Sequence, residues 1–202
     1  MKTGRFTPLQ YSIIAAVLAS AAPWCVQAQQ AHPQTLPAQA QPVTAAQGAL
    51  LNVVREATQR FKDVSVAEAE GYALAFGCVT GPDAGAMGMH FVNMALVAST
   101  SSGASPLDAR RPQIVIYEPT PSGRLQLIGA DFLVLADGWN QAHGGSPPEL
   151  MGQLFHYFET PNRFGLPAFY TLHVWAWKNN PNGAFVNWHP NVSCTAFAGQ
   201  AP

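Results

Sequence analysis

The histidines are the residues of this chain best suited to chemistry near neutral pH, and His173 is the most informative of them. Imidazole is the commonest metal ligand in proteins and the usual general base. His173 belongs to the aromatic segment 169–177, which is predicted to be a strand. Because side chains alternate along a strand, one face carries Phe169, Thr171, His173, Trp175 and Trp177. This arrangement predicts a cavity lined by aromatic side chains, and a core histidine bound to the backbone is the alternative.

His90 lies in a second segment of interest, which is rich in methionine and runs from residue 85 to 91. Thioether and imidazole ligands together suit copper, although Met87 and Met94 would serve equally well as core filler. Alternation along an extended segment directs Met89 away from His90.

A metal site in this chain has to assemble from separate strands, because the sequence has no H-x-H or H-E-x-x-H spacing. One imidazole each from His90 and His173, with a third ligand, would leave an open position of the kind that catalytic metal sites keep. The candidate cofactor is then a transition metal, namely zinc, copper or iron.

Two carboxylates fall on apolar faces of predicted strands. Asp131 shares its face with the leucines of segment 125–135, and Glu118 shares one with Ile114 and Ile116. Charged groups are seldom buried without a partner. Asp131 is therefore expected either to be satisfied by an Arg or His side chain or to be an acid of raised pKa. If the hairpin pairs closely, Asp131 and Glu118 approach one cavity as ligands or acid–base groups, and a structural ion pair with Arg124 or Arg111 is the alternative.

The elements that position these residues are mostly strands. Apolar residues three or four apart predict an amphipathic helix over 49–62, and Ser65 with Glu68 has the spacing of a capping box for a short helix over 65–70. The turn at 121–123 separates the strands of the most secure hairpin. The predicted strands are 72–79, 89–92, 113–118, 124–135 and 169–177. Segment 136–148, with its Gly and Pro residues, is predicted to be a loop, and 149–158 either a short helix or a strand.

These elements predict an α+β fold, mainly antiparallel β in a barrel-like or curved sheet, with one or two N-terminal helices. Cys78 and Cys194 are expected to form one disulfide that joins the start of the domain to its end. The alternative is a reactive or metal-binding thiol pair, which no C-x-x-C spacing favours.

The N-terminal segment has the organisation of a secretory signal. Residues 1–28 combine Lys2 and Arg5 with a short apolar run and a small-residue cleavage site ending at Ala28. Residues 29–48, rich in Gln, Ala and Pro, are predicted to be a disordered tether. Residues 49–198 are predicted to form a single globular domain. The chain is thus expected to be exported, to the periplasm or the extracellular space, and to have no membrane span.

The composition of the chain limits the classes of partner that it is expected to bind. Of 202 residues only 10% are charged, and the net charge is −1. Such a chain has no electrostatic footprint for nucleic acid. The sequence also has no G-x-S-x-G elbow, P-loop or dinucleotide fingerprint.

Several motifs occur together between residues 58 and 194. They are Ala86–Asn93, Gly123–Leu125, Leu172–Trp175, Asn180–Gly183 and Asn191–Cys194. In this combination the chain resembles a family of exported bacterial proteins of uncharacterised activity. The resemblance implies an exported bacterial domain and carries no ligand or catalytic residue.

The leading functional hypothesis is an exported small-molecule-binding domain whose ligand is unspecified. Its pocket is predicted to be lined by His90, His173, Trp175, Asp131 and Glu118. The alternatives are a metal-dependent enzyme that uses His90 and His173, and a non-catalytic structural or interaction module of the envelope whose aromatic strand is only core. Whether the protein is an enzyme is left open by the sequence.

Overall fold

A computed structural model describes residues 43–81 and 83–199 of the chain. The predicted signal and all but the end of the predicted tether lie outside the described residues. The first helix, α1, spans Ala45–Thr58 and so begins before the predicted start at residue 49. Thr44 caps it with a capping box in which the Thr44 hydroxyl accepts from the backbone N–H of Gln47.

A 3-10 turn (Gln59–Lys62) and helix α2 (Val64–Ala69) follow. The cap of α2 is Asp63, whose carboxylate accepts from the backbone N–H of Ser65, so the prediction of Ser65 as the cap was wrong by two residues. Two further helices come later in the chain, α3 (Met94–Ser101) and α4 (Ala136–His143).

The strands form one antiparallel sheet that curls into a half-barrel, which confirms the predicted fold class. Its spatial order is β1-β2-β3-β4-β8-β7, and a separate two-stranded hairpin joins β5 to β6. The strands are β1 (Ala73–Gly81), β2 (Gly85–Val92), β3 (Ile114–Pro119), β4 (Leu125–Leu135), β5 (Glu149–Leu150), β6 (Gln153–Leu154), β7 (His156–Phe158) and β8 (Phe169–Val174).

The structure corrects two predictions of local structure and, for segment 149–158, decides between the two predicted alternatives in favour of strands. Residues 136–143 form α4 rather than a loop, and the helix ends at Gly144, which adopts a left-handed conformation at φ 62°. Segment 149–158 forms short strands and no helix. Strand β8 ends at Val174, so Trp177 leaves the predicted face, and its indole nitrogen donates to the Thr58 hydroxyl at 3.0 Å.

The two faces of the sheet are covered by different parts of the chain. On the helix face, Leu50 and Val54 of α1 and Phe61 of the 3-10 turn pack against the strands. On the opposite face, here called the loop face, the cover comes from Val97 of α3 and from segments outside regular structure that include Leu166 and Val192. Apolar burial on both faces makes the sheet the central layer of the domain.

A bulge in β4 decides which of its side chains reach the loop face. Ile128 is an extra residue with no direct partner in β3, so the alternation of side chains reverses at this point. Leu125 and Leu127 therefore pack toward the helix face, whereas Asp131 and Leu133 face the other way. The prediction of one continuous face from 125 to 135 was wrong for this reason.

The predicted disulfide between Cys78 and Cys194 is confirmed, with its Cα atoms 5.7 Å apart. These two sulfurs are thus neither free thiols nor metal ligands. Structural disulfides persist in oxidising compartments, so the bond indicates that the protein works in one. Within the two described ranges, no helix has the length and apolar character that crossing a membrane requires.

Candidate functional site

Three strands of the sheet, β2, β4 and β8, bring His90, Asp131 and His173 together on the loop face. Asp131 of β4 pairs directly with His173 of β8, whereas His90 of β2 is separated from β4 by β3. All three residues are at most 4% exposed. One ligand atom from each can be chosen so that all three atoms lie within 4.8 Å of one another. The site is therefore a compact cluster of metal-ligating groups.

The hydrogen bond of His90 assigns its tautomer. Its Nδ1 lies 3.1 Å from the carbonyl oxygen of Gly88, which can only accept, so Nδ1 carries the proton. Burial, reinforced by the neighbouring His173, lowers the pKa of His90 to about 4. The ring is thus neutral near pH 7, and its Nε2 presents a lone pair to the interior.

His173 faces both other members of the cluster. Its Nε2 lies 3.4 Å from the Nε2 of His90, and its Nδ1 lies 3.6 Å from Oδ2 of Asp131. Burial lowers the pKa of His173 to about 3, and the nearby His156 adds to this lowering. Within the described part of the chain, His173 Nδ1 and Asn187 Oδ1 have no hydrogen-bond partner.

Asp131 is held in place by its neighbours on β8. The hydroxyl of Thr171 donates to Oδ1 at 2.6 Å. Burial raises the pKa of Asp131 to about 6, opposed by this hydrogen bond and by the backbone N–H groups of Leu172 and Phe132. Asp131 is consequently still ionised at neutral pH. The ionisable neighbour of Asp131 is thus His173, as one predicted alternative had it, rather than Arg124 or Arg111.

The charge on Asp131 favours one tautomer of His173. A lone pair on Nδ1 would face the carboxylate, whereas a proton there is attracted to it. With the proton on Nδ1, the Nε2 lone pairs of both histidines point toward each other across 3.4 Å. Two nitrogen ligands of a tetrahedral zinc ion stand about 3.3–3.4 Å apart when each metal–nitrogen bond is about 2.0–2.1 Å. The separation of the two imidazoles therefore fits a shared metal ion.

The cluster forms the polar floor of a small cavity with apolar walls. The space available to the centre of a water molecule is about 20 Å³, enough for one water. Phe158, Phe164 and Leu166 are only half-buried, so the cavity approaches the surface between them. The lining residues are Phe76, Met87, His90, Ile114, Asp131, Leu133, Phe158, Phe164, Leu166, Phe169, Thr171 and His173.

The other two predicted site residues do not line this cavity. Trp175 adjoins it, with its ring centroid 5.9 Å from that of His173, but its indole nitrogen donates to the carbonyl oxygen of Val186. Glu118 is remote from the cluster and binds Lys178 Nζ at 2.5 Å and the backbone N–H of Ser193 at 3.0 Å. The expected ion pair of Glu118 exists, with a lysine in place of an arginine.

Thr171 and Met87 line the cavity but were not among the predicted pocket residues. Thr171 stood on the predicted face of β8, and its alternation with His173 was a usable signal for its role beside Asp131. The sequence left Met87 open as a soft ligand with His90 or as core filler, and strict alternation along a regular strand would place residues three positions apart on opposite faces. A bulge in β2 places Met87 and His90 on the same face. The only local sequence signal for this bulge is Gly88, which follows Met87.

Gly88 is the residue on which this bulge depends, and we expect Gly88→Ala to be strongly destabilising. Its φ is 94°, and a Cβ there would stand 2.7 Å from the carbonyl oxygen of Tyr117. The backbone conformation alone costs a non-glycine residue about 1–3 kcal/mol, and the clash adds to it. Gly123→Ala is the matched control, because Gly123 has φ 76° but open space around it. Urea unfolding should show a larger loss for Gly88→Ala, and equal losses would contradict the packing argument.

Comparison with known proteins does not extend these observations. No family model, curated protein or solved structure matches the chain.

Proposed function

We propose that this chain is an exported metal-binding protein that holds one transition-metal ion between Nε2 of His90 and Nε2 of His173. The observation that carries the proposal is the 3.4 Å separation of these two buried nitrogens. Because Nδ1 of His90 donates to the carbonyl oxygen of Gly88, Nε2 of His90 has a free lone pair. A metal ion in this position supplies a Lewis acid and an organising centre for a small ligand.

Asp131 supports the proposal through its charge and its position. A carboxylate beside the second nitrogen of a metal-bound histidine fixes the ring and raises its basicity, as in many known sites. Asp131 lies on that side of His173, at 3.6 Å from Nδ1. It also offsets part of the positive charge that a metal ion brings into a buried place.

The small volume of the cavity limits the size of any ligand that could bind beside the metal ion. Ligand pockets for drug-sized molecules measure about 300–1,000 Å³, whereas the space for water centres here is about 20 Å³. Small-molecule binding at this site is therefore proposed for water or a ligand of similar size, at a position of the metal that the protein leaves open. An open position of this kind is also what a metal-dependent hydrolytic enzyme needs, and this is the second candidate function.

Export is part of the proposal. The Cys78–Cys194 disulfide favours an oxidising compartment. The signal-like N-terminus and the resemblance to exported bacterial proteins favour the periplasm or the extracellular space over other oxidising compartments.

The test is the metal content of the full chain produced in a bacterial host, recovered after export, and purified without a histidine tag or chelator. We expect about one transition-metal ion per chain by elemental mass spectrometry. Protein stripped by dialysis against a chelator should regain one zinc ion and melt at higher temperature, since a ligand at about 100 times its Kd adds about 2.7 kcal/mol of stability. Protein that contains no metal and takes up none after stripping would overturn the proposal.

A further inference from the structure

Met87 enters the cavity because β2 carries an extra residue at this position. Ala86 pairs with Thr80 and Gly88 pairs with Val79, which leaves Met87 between the two pairs without a partner of its own. A bulge of this type redirects side chains and is frequent beside functional sites. Met87 is 3% exposed and lines the same cavity as His90 and His173.

We propose that the thioether sulfur of Met87 is a third ligand of the metal and that the site therefore selects copper in its cuprous state. This inference rests on the metal site proposed above and adds the identity of the ion. Thioether sulfur is a soft ligand that binds Cu(I) well, and imidazole suits copper as well as zinc. Two imidazoles and one thioether form a neutral, three-coordinate set around a single positive charge.

The charge balance of the buried site favours a monovalent ion. Among the described residues that line the cavity, Asp131 is the one carboxylate, and an imidazole binds a metal ion in its neutral form. A cuprous ion beside Asp131 gives a net charge of zero, whereas a divalent ion leaves one uncompensated positive charge in a buried cavity with mostly apolar walls. The apolar walls, which include Phe158, Phe164 and Phe169, also provide none of the oxygen ligands that harder ions prefer.

In this proposal Asp131 orients His173 and is not itself a ligand of the metal. Carboxylate oxygen is a hard ligand and a poor match for Cu(I). The position of Asp131 beside Nδ1 of His173, with its own Oδ1 bound by Thr171, suits an orienting group better than a ligand.

The test compares Met87→Leu with Met89→Leu in the full-length, exported protein. Met89 is the matched control, because it is as buried as Met87 but packs on the helix face with Phe91 and Tyr117. Leucine conserves the volume of methionine, so both variants should fold. Affinities are measured for Cu(I), under ascorbate with a chromophoric competitor, and for Zn²⁺ by calorimetric titration. X-ray absorption at the copper edge shows whether sulfur is in the coordination shell.

We expect Met87→Leu to weaken Cu(I) binding at least tenfold, roughly 1.4 kcal/mol of binding energy, with little change in zinc affinity. Met89→Leu should leave both affinities unchanged, and copper in the wild type should have one sulfur neighbour that Met87→Leu removes. If Met87→Leu binds Cu(I) as the wild type does, or the wild type has no sulfur scatterer, the inference fails while the metal site stands. If the wild type binds neither ion, the proposed function fails with it.

Discussion

His90→Asn and His173→Asn should each weaken metal binding by at least about a hundredfold, the largest functional change that we expect from a single substitution. Asparagine carries its amide nitrogen close to where histidine carries Nδ1. His90→Asn can therefore keep the hydrogen bond to the carbonyl oxygen of Gly88 while it lacks Nε2, the proposed ligand atom. His173→Asn likewise keeps a donor toward Asp131. Calorimetric titration of the stripped proteins with zinc measures the loss.

Glu118→Gln is the control for these variants. Glu118 is a carboxylate on the same sheet, but it binds Lys178 and the backbone of Ser193 and lies outside the cavity. Its substitution should leave zinc affinity unchanged. Urea unfolding of each metal-free variant separates loss of a ligand from loss of the fold. If either asparagine variant binds zinc as tightly as the wild type, then that histidine is a structural residue and not a ligand.

The parts of the fold that could be predicted from sequence are those fixed by local periodicity and turn chemistry. The hairpin of β3 and β4 is the clearest example. Its two apolar runs are separated by Pro121-Ser122-Gly123, and the strands begin and end within one residue of their predicted bounds. Strand β8 begins at Phe169 as predicted. Strong β-propensity over six or more residues was sufficient there.

Helix α3 has a local signal that sequence reasoning missed, the N-cap Asn93, whose side chain accepts from the backbone N–H of Leu96. Helix α4 could not be predicted because it depends on its contact with α3. Leu135, at the start of α4, provides no side-chain cap, and Gly138 inside the helix lowers its intrinsic propensity. In the structure, a Cβ at Gly138 would lie 2.8 Å from the carbonyl oxygen of Ser101 at the end of α3. The glycine that argued for a loop is thus what allows the two helices to approach closely.

The residues of the candidate site could be predicted only where their strands are regular. Alternation correctly placed Thr171 beside His173, since β8 is regular along this stretch. It failed for Leu127, and it gave no reason to expect Met87 beside His90, because β4 and β2 each contain an extra residue. A bulge is set by hydrogen bonding to the neighbouring strand, which the sequence of one strand does not specify. Cross-strand register is likewise what brings Asp131 opposite His173 and leaves Glu118 elsewhere.

Removal of the disulfide should cause the largest loss of stability that we expect from this chain. The Cys78–Cys194 bond closes a loop with a sequence separation of 116 residues. Loop-closure entropy for such a loop gives about 4–5 kcal/mol, a large share of the roughly 5–15 kcal/mol that stabilises a typical domain. The double variant Cys78→Ala/Cys194→Ala should lose about this much free energy of unfolding in urea. Alanine is preferred to serine because Cys78 is fully buried and a hydroxyl there would need a partner.

The disulfide also anchors a chain segment that covers the loop face, so loss of the disulfide should also affect the metal site. Cys194 follows Val192, which packs in the loop-face core, and His189, which bridges to Ala86 at the start of β2. Reduction of the wild type under non-denaturing conditions should reproduce the destabilisation of the double alanine variant and should not destabilise that variant further. Bound metal should restore part of the lost stability in both cases, because it links β2 to β8 independently of the sulfurs. A double variant that loses less than about 1 kcal/mol would show that the unfolded chain is already compact enough to make the cross-link redundant.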